Sequence, residues 1–124
     1  VFEALPDVNW AGFYILRPGE LVLGPFQGRV ACTRIALGQG VCGTVAHSRT
    51  PCIVADVNSF PGHIACDAAS ASEIVVPIVV HGALFGVLDL DSPRKNRFTP
   101  QDLTLLEAVV AQLVGVLARS MVLP

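Results

Sequence analysis

Apolar and aromatic residues run from Trp10 to Leu16, stop at Arg17-Pro18-Gly19-Glu20 and resume at Leu21-Val22-Leu23. Two such runs around a Pro-Gly turn predict a hairpin. Next, Gly24-Pro25-Phe26-Gln27-Gly28 carries breakers at both ends and reads as a loop, followed by a short strand at Ala31-Cys32-Thr33-Arg34-Ile35. The small residues from Gly38 to Gly43 suit a tight loop opening a short helix at Thr44-Val45-Ala46-His47. Cys52-Ile53-Val54 follows as a brief buried strand, and Asp56 to Ser72 is a long irregular stretch rich in Gly, Ala, Ser and Asp. Irregular segments of that length tend to be functional or disordered.

Glu73 to Val80 and Ala83 to Asp91 are rich in Val, Ile and Leu and are joined by His81-Gly82, which predicts a second hairpin of central, buried strands. Thr99-Pro100-Gln101-Asp102 then places a capping hydroxyl before a proline at the first helical position and an acid at the third. Leu103, Leu106, Val110, Leu113 and Leu117 repeat at helical spacing, with Val109, Val114 and Val116 widening the stripe. So broad a face predicts packing on the sheet and on a second helix, either from another subunit in a homodimer or from residues ahead of Val1. A deeply buried helix is the alternative.

Composition narrows the function classes. Only 15% of the 124 residues are charged, with Lys+Arg 8 against Asp+Glu 10, where roughly 25% is usual. Beyond Arg94-Lys95-Asn96-Arg97 there is no basic cluster, which argues against nucleic-acid binding. The longest nearly uncharged run, Ile74 to Leu88, is broken by Pro77, His81, Gly82 and Gly86 and falls short of the ~18–20 residues that span a bilayer. No membrane role is expected. The N-terminus has neither an initiator Met nor a signal-peptide pattern, so the expected compartment is the reducing cytoplasm. Cys32, Cys42, Cys52 and Cys66 accordingly read as thiols rather than a structural disulfide framework. The length fits one domain over residues 1–124.

Two tempting motifs lack their context. Gly38-Gln39-Gly40-Val41-Cys42-Gly43 spells the dinucleotide-binding letters, but no βαβ unit or ribose-binding acid follows. His63 and Cys66 are the nearest approach to a zinc pair, with no second pair to complete it.

The chemistry concentrates in His63-Ile64-Ala65-Cys66-Asp67-Ala68-Ala69-Ser70-Ala71-Ser72-Glu73. A lone cysteine is most often a small buried hydrophobe, yet Cys66 lies in a polar stretch with an imidazole three residues away, the surroundings of a reactive thiol. Asp89 and Asp91 share one face of a strand by the period of two, and counting outward from the His81-Gly82 turn brings Glu73 to the same end of the hairpin. Grouped carboxylates repel, and at least one pKa must rise. A solvated strand end is the plain alternative for any one of these acids. Trp10 and Tyr14, four apart on the first strand, also share a face, with Gly12 leaving space between them. Together these residues describe a small polar pocket with a thiol, a carboxylate cluster and two aromatics.

Several segments together resemble the free methionine-R-sulfoxide reductases, enzymes built on a GAF domain. They are Asn9-Trp10-Ala11-Gly12-Phe13-Tyr14, Gly24-Pro25-Phe26-Gln27-Gly28 with Ala31-Cys32, and Gly40-Val41-Cys42-Gly43. Asp56-Val57, Phe60-Pro61-Gly62-His63-Ile64-Ala65-Cys66-Asp67, Ser72-Glu73-Ile74-Val75-Val76-Pro77 and Gly86-Val87-Leu88-Asp89-Leu90-Asp91-Ser92 complete the set. The resemblance runs from about Asn9 to the last helix. It implies an α+β fold, a GAF-like central antiparallel sheet of about six strands flanked by helices. Family members begin with one or two helices before the Asn-Trp motif, which this chain largely lacks; the difference bears on a dimer interface rather than on the catalytic residues.

Position by position, the resemblance implies that Cys66 is the catalytic thiol, Cys32 the cysteine most often assigned to resolve it and Cys42 a further redox cysteine that relays or substitutes, which leaves open whether Cys32 or Cys42 closes the disulfide. Cys52 has no counterpart and reads as structural. Glu73, Asp89 and Asp91 correspond to acidic pocket residues that hold the substrate ammonium and the sulfoxide oxygen, with Glu73 and Asp91 also counted as catalytic. Trp10 and Tyr14 correspond to the aromatic wall. The implied activity is reduction of free methionine-R-sulfoxide through a sulfenic acid on Cys66, condensation to a disulfide and recycling by thioredoxin, with no metal or organic cofactor. A non-catalytic GAF sensor of a small ligand and a thiol redox switch are the rivals. The sensor does not require three cysteines beside three acids, and the switch does not require the acids.

Overall fold

A computed structural model of the chain describes residues 5–29, 31–62 and 70–120. Six strands form one sheet, every neighbouring pair antiparallel, in the order β3-β2-β1-β6-β5-β4. They are β1 (Trp10–Arg17), β2 (Glu20–Gln27), β3 (Arg34–Ala36), β4 (Cys52–Val54), β5 (Ser72–Val80) and β6 (Ala83–Ser92), with helices α1 (Gly40–Ser48) and α2 (Pro100–Ser120). This is the α+β architecture that the resemblance implied.

Both sequence-predicted hairpins form, each through the turn chemistry its residues favour. Pro18-Gly19 connects β1 to β2, with Gly19 at a φ of 74°, as a turn with proline first and glycine second requires. His81 and Gly82 take φ values of 52° and 77°, the doubly left-handed pair whose twist matches flanking strands.

Three local expectations need correction. The Gly24–Gly28 breakers do not end β2, which runs on to Gln27. Gly12 pairs with Phe26 but Tyr14 with Leu23, so one extra β2 residue bulges opposite β1, while β3 pairs only with Glu20 to Val22. A proline is tolerated beside a bulge on an uncovered edge because no ladder bond needs its missing N–H. The strand expected from Ala31 begins only at Arg34. Helix α1 begins at Gly40 and takes in the glycines assigned to a loop; a Cβ on Gly43 would lie 2.5 Å from the Ala36 carbonyl oxygen, so the absence of a side chain lets the helix sit against the end of β3.

The sheet separates two apolar layers. On one face Trp10, Tyr14, Leu21, Val75 and Val87 pack with Val41, Cys42, Val45 and Ala46 of α1. On the other, Ala11, Ile74, Val76, Ile78, Leu88 and Leu90 pack with Leu106 and Val110 of α2. The start of α2 is capped reciprocally: the Asp102 N–H donates to Thr99 Oγ1 at 3.2 Å and the Thr99 N–H donates to Asp102 Oδ2 at 2.8 Å. Helix α2 is long and apolar enough to cross a membrane by length and composition alone, a feature missed by following the Ile74–Leu88 run. Its Leu106–Val110 stripe nevertheless faces the sheet, as a core helix does. The deeply buried alternative fails, since only Leu106 and Val110 are buried and Leu105 and Val116 are about half exposed.

Gly86 lies opposite Ile15 of β1 and Ile78 of β5, where an added Cβ would press into the Tyr14 carbonyl. Gly86→Ala is expected to lower unfolding stability by about 1–3 kcal/mol, the range for overpacking, as read from urea denaturation midpoints.

Candidate active site

The hairpin register assembles the acids. Glu73 stands opposite Asp91, whose other neighbour is Trp10; two rows along, Val75, Asp89 and Gly12 line up. Alternation turns Leu88 and Leu90 towards α2 and leaves Asp89 and Asp91 on the α1 side. All three carboxyls are buried, with exposures of 7% at Glu73, 4% at Asp89 and 8% at Asp91. The solvated strand end considered from sequence is therefore excluded. Among the described residues no lysine or arginine pairs with Glu73 or Asp89. Asp89 Oδ1 is buried without a hydrogen-bond partner.

Helix α1 lowers Cys42 onto this cluster. Its buried thiol lies 3.9 Å from Glu73 Oε2 and donates to it. Burial pushes the Glu73 pKa well above the ordinary carboxyl range and the neighbouring Asp89 charge adds to it. Burial likewise raises Asp89, reinforced by the charge of Asp91. The Cys42 thiol is raised by burial first and then by the Asp89 and Glu73 charges. This thiol is held protonated, a hydrogen-bond donor rather than a ready nucleophile.

Trp10 and Tyr14 are buried and stacked, with ring centroids 5.9 Å apart, and Phe26 stacks on Trp10 at 6.0 Å. The space that Gly12 opens is filled by the indole itself, since an added Cβ would lie 2.5 Å from Trp10 Cη2. The Trp10 indole N–H donates to the Arg29 carbonyl oxygen and the Tyr14 hydroxyl to that of Cys32, each at 2.9 Å. Cys32 is disulfide-bonded, whereas Cys42 and Cys52 are free thiols. Cys52 sits in β4, partly buried against the α1-side core. His63, Cys66 and Asp67 lie outside the described residues.

The resemblance named Cys42 without setting it against Glu73, and the roles of two buried serines escaped the sequence reading altogether. Cys42 joins the acids only because α1 crosses the sheet, which no local pattern announces. Ser72 and Ser92, both fully buried, tie the following loop to the strand ends: the Ser72 hydroxyl donates to the Arg94 carbonyl and accepts from the Arg97 N–H, and Ser92 Oγ accepts from the Arg94 N–H.

The cluster can act in two ways. A carboxyl held neutral can donate a proton, and a carboxylate can receive a cation. Cys42 Sγ and one oxygen each of Glu73 and Asp89 lie within 4.8 Å of one another, a set that could hold a metal ion and whose oxygens suit an ammonium equally well.

A two-faced sheet with a buried polar pocket under a short helix defines the class, and the GAF domain family matches residues 4–117. The free methionine-R-sulfoxide reductase of Escherichia coli is 55% identical over 120 residues, covering 97% of this chain and 73% of that protein. That of Saccharomyces cerevisiae is 51% identical over 113 residues, covering 88% of this chain and 62% of its own. The X-ray structure of free methionine-R-sulfoxide reductase from Neisseria meningitidis in complex with its substrate superposes with a TM-score of 0.83 at 44% identity, covering 93% of this chain and 71% of that one. The chain belongs to the free methionine-R-sulfoxide reductase family of GAF domains.

The raised carboxyls set a pH dependence. The folded state holds protons on Glu73 and Asp89 above the ordinary carboxyl pKa of about 4, where the unfolded chain has released them. Their contribution is intact below that value and is lost as pH rises through the raised folded values. Unfolding free energy is expected to fall as pH rises above about 5, and Asp89→Asn is expected to flatten that slope and to be the more stable protein at the alkaline end. Urea titrations at stepped pH measure both.

Proposed function

We propose that this chain reduces free L-methionine-R-sulfoxide to L-methionine, with Cys66 as the attacking thiol. The observation that carries this reading is the buried Glu73–Asp89–Asp91 group with its unpartnered Asp89 oxygen. An amino-acid ammonium supplies a cation and a hydrogen-bond donor for that Asp89 oxygen. A methionine within a peptide has no ammonium to offer, so the pocket favours the free amino acid. The names of the relatives and the substrate complex of the Neisseria enzyme support the same activity.

In this reading the Cys66 thiolate attacks the sulfoxide sulfur while the Glu73 carboxyl, which holds its proton through burial and stands opposite Asp91, protonates the oxygen as charge builds there. The oxygen passes from the substrate sulfur to the Cys66 sulfur: the substrate S–O bond breaks, an S–O bond forms on Cys66, and methionine leaves with Cys66 as a sulfenic acid. The Cys32 thiol then forms a disulfide with Cys66 and the oxygen departs as water. A disulfide at Cys32 with Cys42 and Cys52 free supports Cys32 over Cys42 as the resolving residue. The raised pKa of Cys42 supports a role as a donor to Glu73. Thioredoxin, a dithiol reductant of the cytoplasm, restores both thiols by exchange. No step calls for a metal or organic cofactor. The exposed apolar residues Leu105 and Val116 on α2 agree with a homodimer formed through that helix.

A thioredoxin-coupled NADPH assay on the pure protein tests the activity. Turnover of free L-methionine-R-sulfoxide is expected, to be abolished by Cys66→Ser and kept near wild type in Cys52→Ser. Absence of turnover in the wild type would overturn the reading in favour of a ligand sensor. Glu73→Gln and Asp91→Asn are each expected to cut turnover more than about tenfold, the low end of acid catalysis. Full activity in both would remove the acids from the mechanism.

A further inference from the structure

We propose that Trp10 and Tyr14 are positioning residues for the disulfide step, a two-point clamp that holds the Cys32 main chain over the pocket. The inference rests on the reductase reading and adds to it a role beyond that of an aromatic wall. Both rings project from the same face of β1 and are almost fully buried, at 1% and 2% exposure. Each commits its one side-chain donor to a main-chain carbonyl of the segment that leaves β2: Trp10 to Arg29 and Tyr14 to Cys32, both at 2.9 Å.

The anchoring ring and the anchored segment are tightly matched. Gly28 sits at a φ of 121°, and a Cβ there would lie 2.7 Å from Trp10 Cδ1 and 2.8 Å from the Asn9 carbonyl oxygen. Only a glycine lets the backbone lie this closely on the indole, in a conformation that L side chains rarely adopt. Phe26 closes the far side of the stack at 6.0 Å. The segment rejoins the sheet where the Leu23 N–H donates to the Thr33 carbonyl oxygen at 2.9 Å. Between the end of β2 and that bond, the two aromatic donors take the place of ladder bonds for Arg29 and Cys32.

Three consequences follow for the chemistry. The indole N–H and the phenol are already engaged, so a ligand meets the faces and edges of these rings rather than their donors. The carbonyl that Tyr14 holds belongs to Cys32 itself, so the hydrogen bond restricts where the Cys32 Sγ can travel. In the disulfide step the Cys32 sulfur bonds to the sulfenic sulfur, the S–O bond breaks and the oxygen leaves as water. Restricting the attacking sulfur makes that step effectively intramolecular and oriented.

Tyr14→Phe keeps the ring and deletes only the donor, whereas Trp10→Phe deletes the donor and also part of the buried ring. Reduced protein mixed with one equivalent of free L-methionine-R-sulfoxide, without thioredoxin, separates methionine formation from disulfide closure. Closure is expected to slow by about five- to tenfold relative to methionine formation in both variants, the effect of one net hydrogen bond. The sulfenic acid is expected to accumulate and to be trapped by a 1,3-dione reagent in the mass spectrum, and kcat to fall more than KM rises. Closure at the wild-type rate in both variants, or a loss confined to KM, overturns the clamp. A wild type that forms no methionine overturns the reductase reading instead. Redox equilibration in dithiothreitol buffers needs no substrate: Tyr14→Phe is expected to shift Cys32 towards the reduced form by a similar factor, and an unchanged equilibrium overturns the clamp.

Discussion

Between β5 and β6 the ladder sets Glu73 opposite Asp91 and Val75 opposite Asp89, so three carboxyls converge on the α1 side of a sheet whose other side is filled by Leu88 and Leu90. A slip of one residue would exchange the faces, burying the acids against α2 and turning two leucines into the pocket. Isoleucine and valine on the α2 side forbid that slip, because Ile74, Val76 and Ile78 alternate with Glu73 and Val75 along the same strand. The apolar layer beneath α2 is thus what holds the acids in place. Burial under helix α1 disfavours the ionised forms of Glu73 and Asp89, and a cation brought into the pocket offsets that penalty.

The two ends of the proposed chemistry are built differently. Acids on a central hairpin are fixed by ladder bonds on both sides, with β1 along β6 and β4 along β5. Cys32 lies outside the ladder, in the connection from β2 to β3, and depends on the Trp10 and Tyr14 donors. On the proposed mechanism, a rigid binding pocket thus stands beside a segment held by one hydrogen bond at Arg29 and one at Cys32. The third cysteine near the site, Cys42, is neither exposed nor activated, since burial and the carboxylates hold its proton in place.

Much of the site could be read along the chain because its signals were local. Period-two alternation placed Asp89 and Asp91 on one face, the two-residue His81-Gly82 turn fixed the count that brought Glu73 to them, and the spacing of Trp10 and Tyr14 put both rings on one side. The errors were equally specific. Gly24 and Pro25 were read as a break because their compatibility with β2 depends on a bulge opposite β1 and on β3 ending short of them. Gly40 and Gly43 were read as a loop because the reason for a glycine at 43, contact with the Ala36 carbonyl, lies across the fold.

From residue order alone came the two hairpins, the capped C-terminal helix, the cluster of three acids and the resemblance that ties the cysteines to thiol chemistry. These rest on turn geometry, strand and helix periods and motif spacing, which act over a few residues. Only the tertiary structure decided that the carboxyls are buried rather than solvated, that Cys42 belongs among them, that Gly12 makes room for an indole rather than for a ligand, and that the aromatic donors grip the Cys32 segment. Each of those depends on contacts between residues far apart in sequence, whose desolvation and hydrogen bonding exist only once helix, sheet and loop have come together.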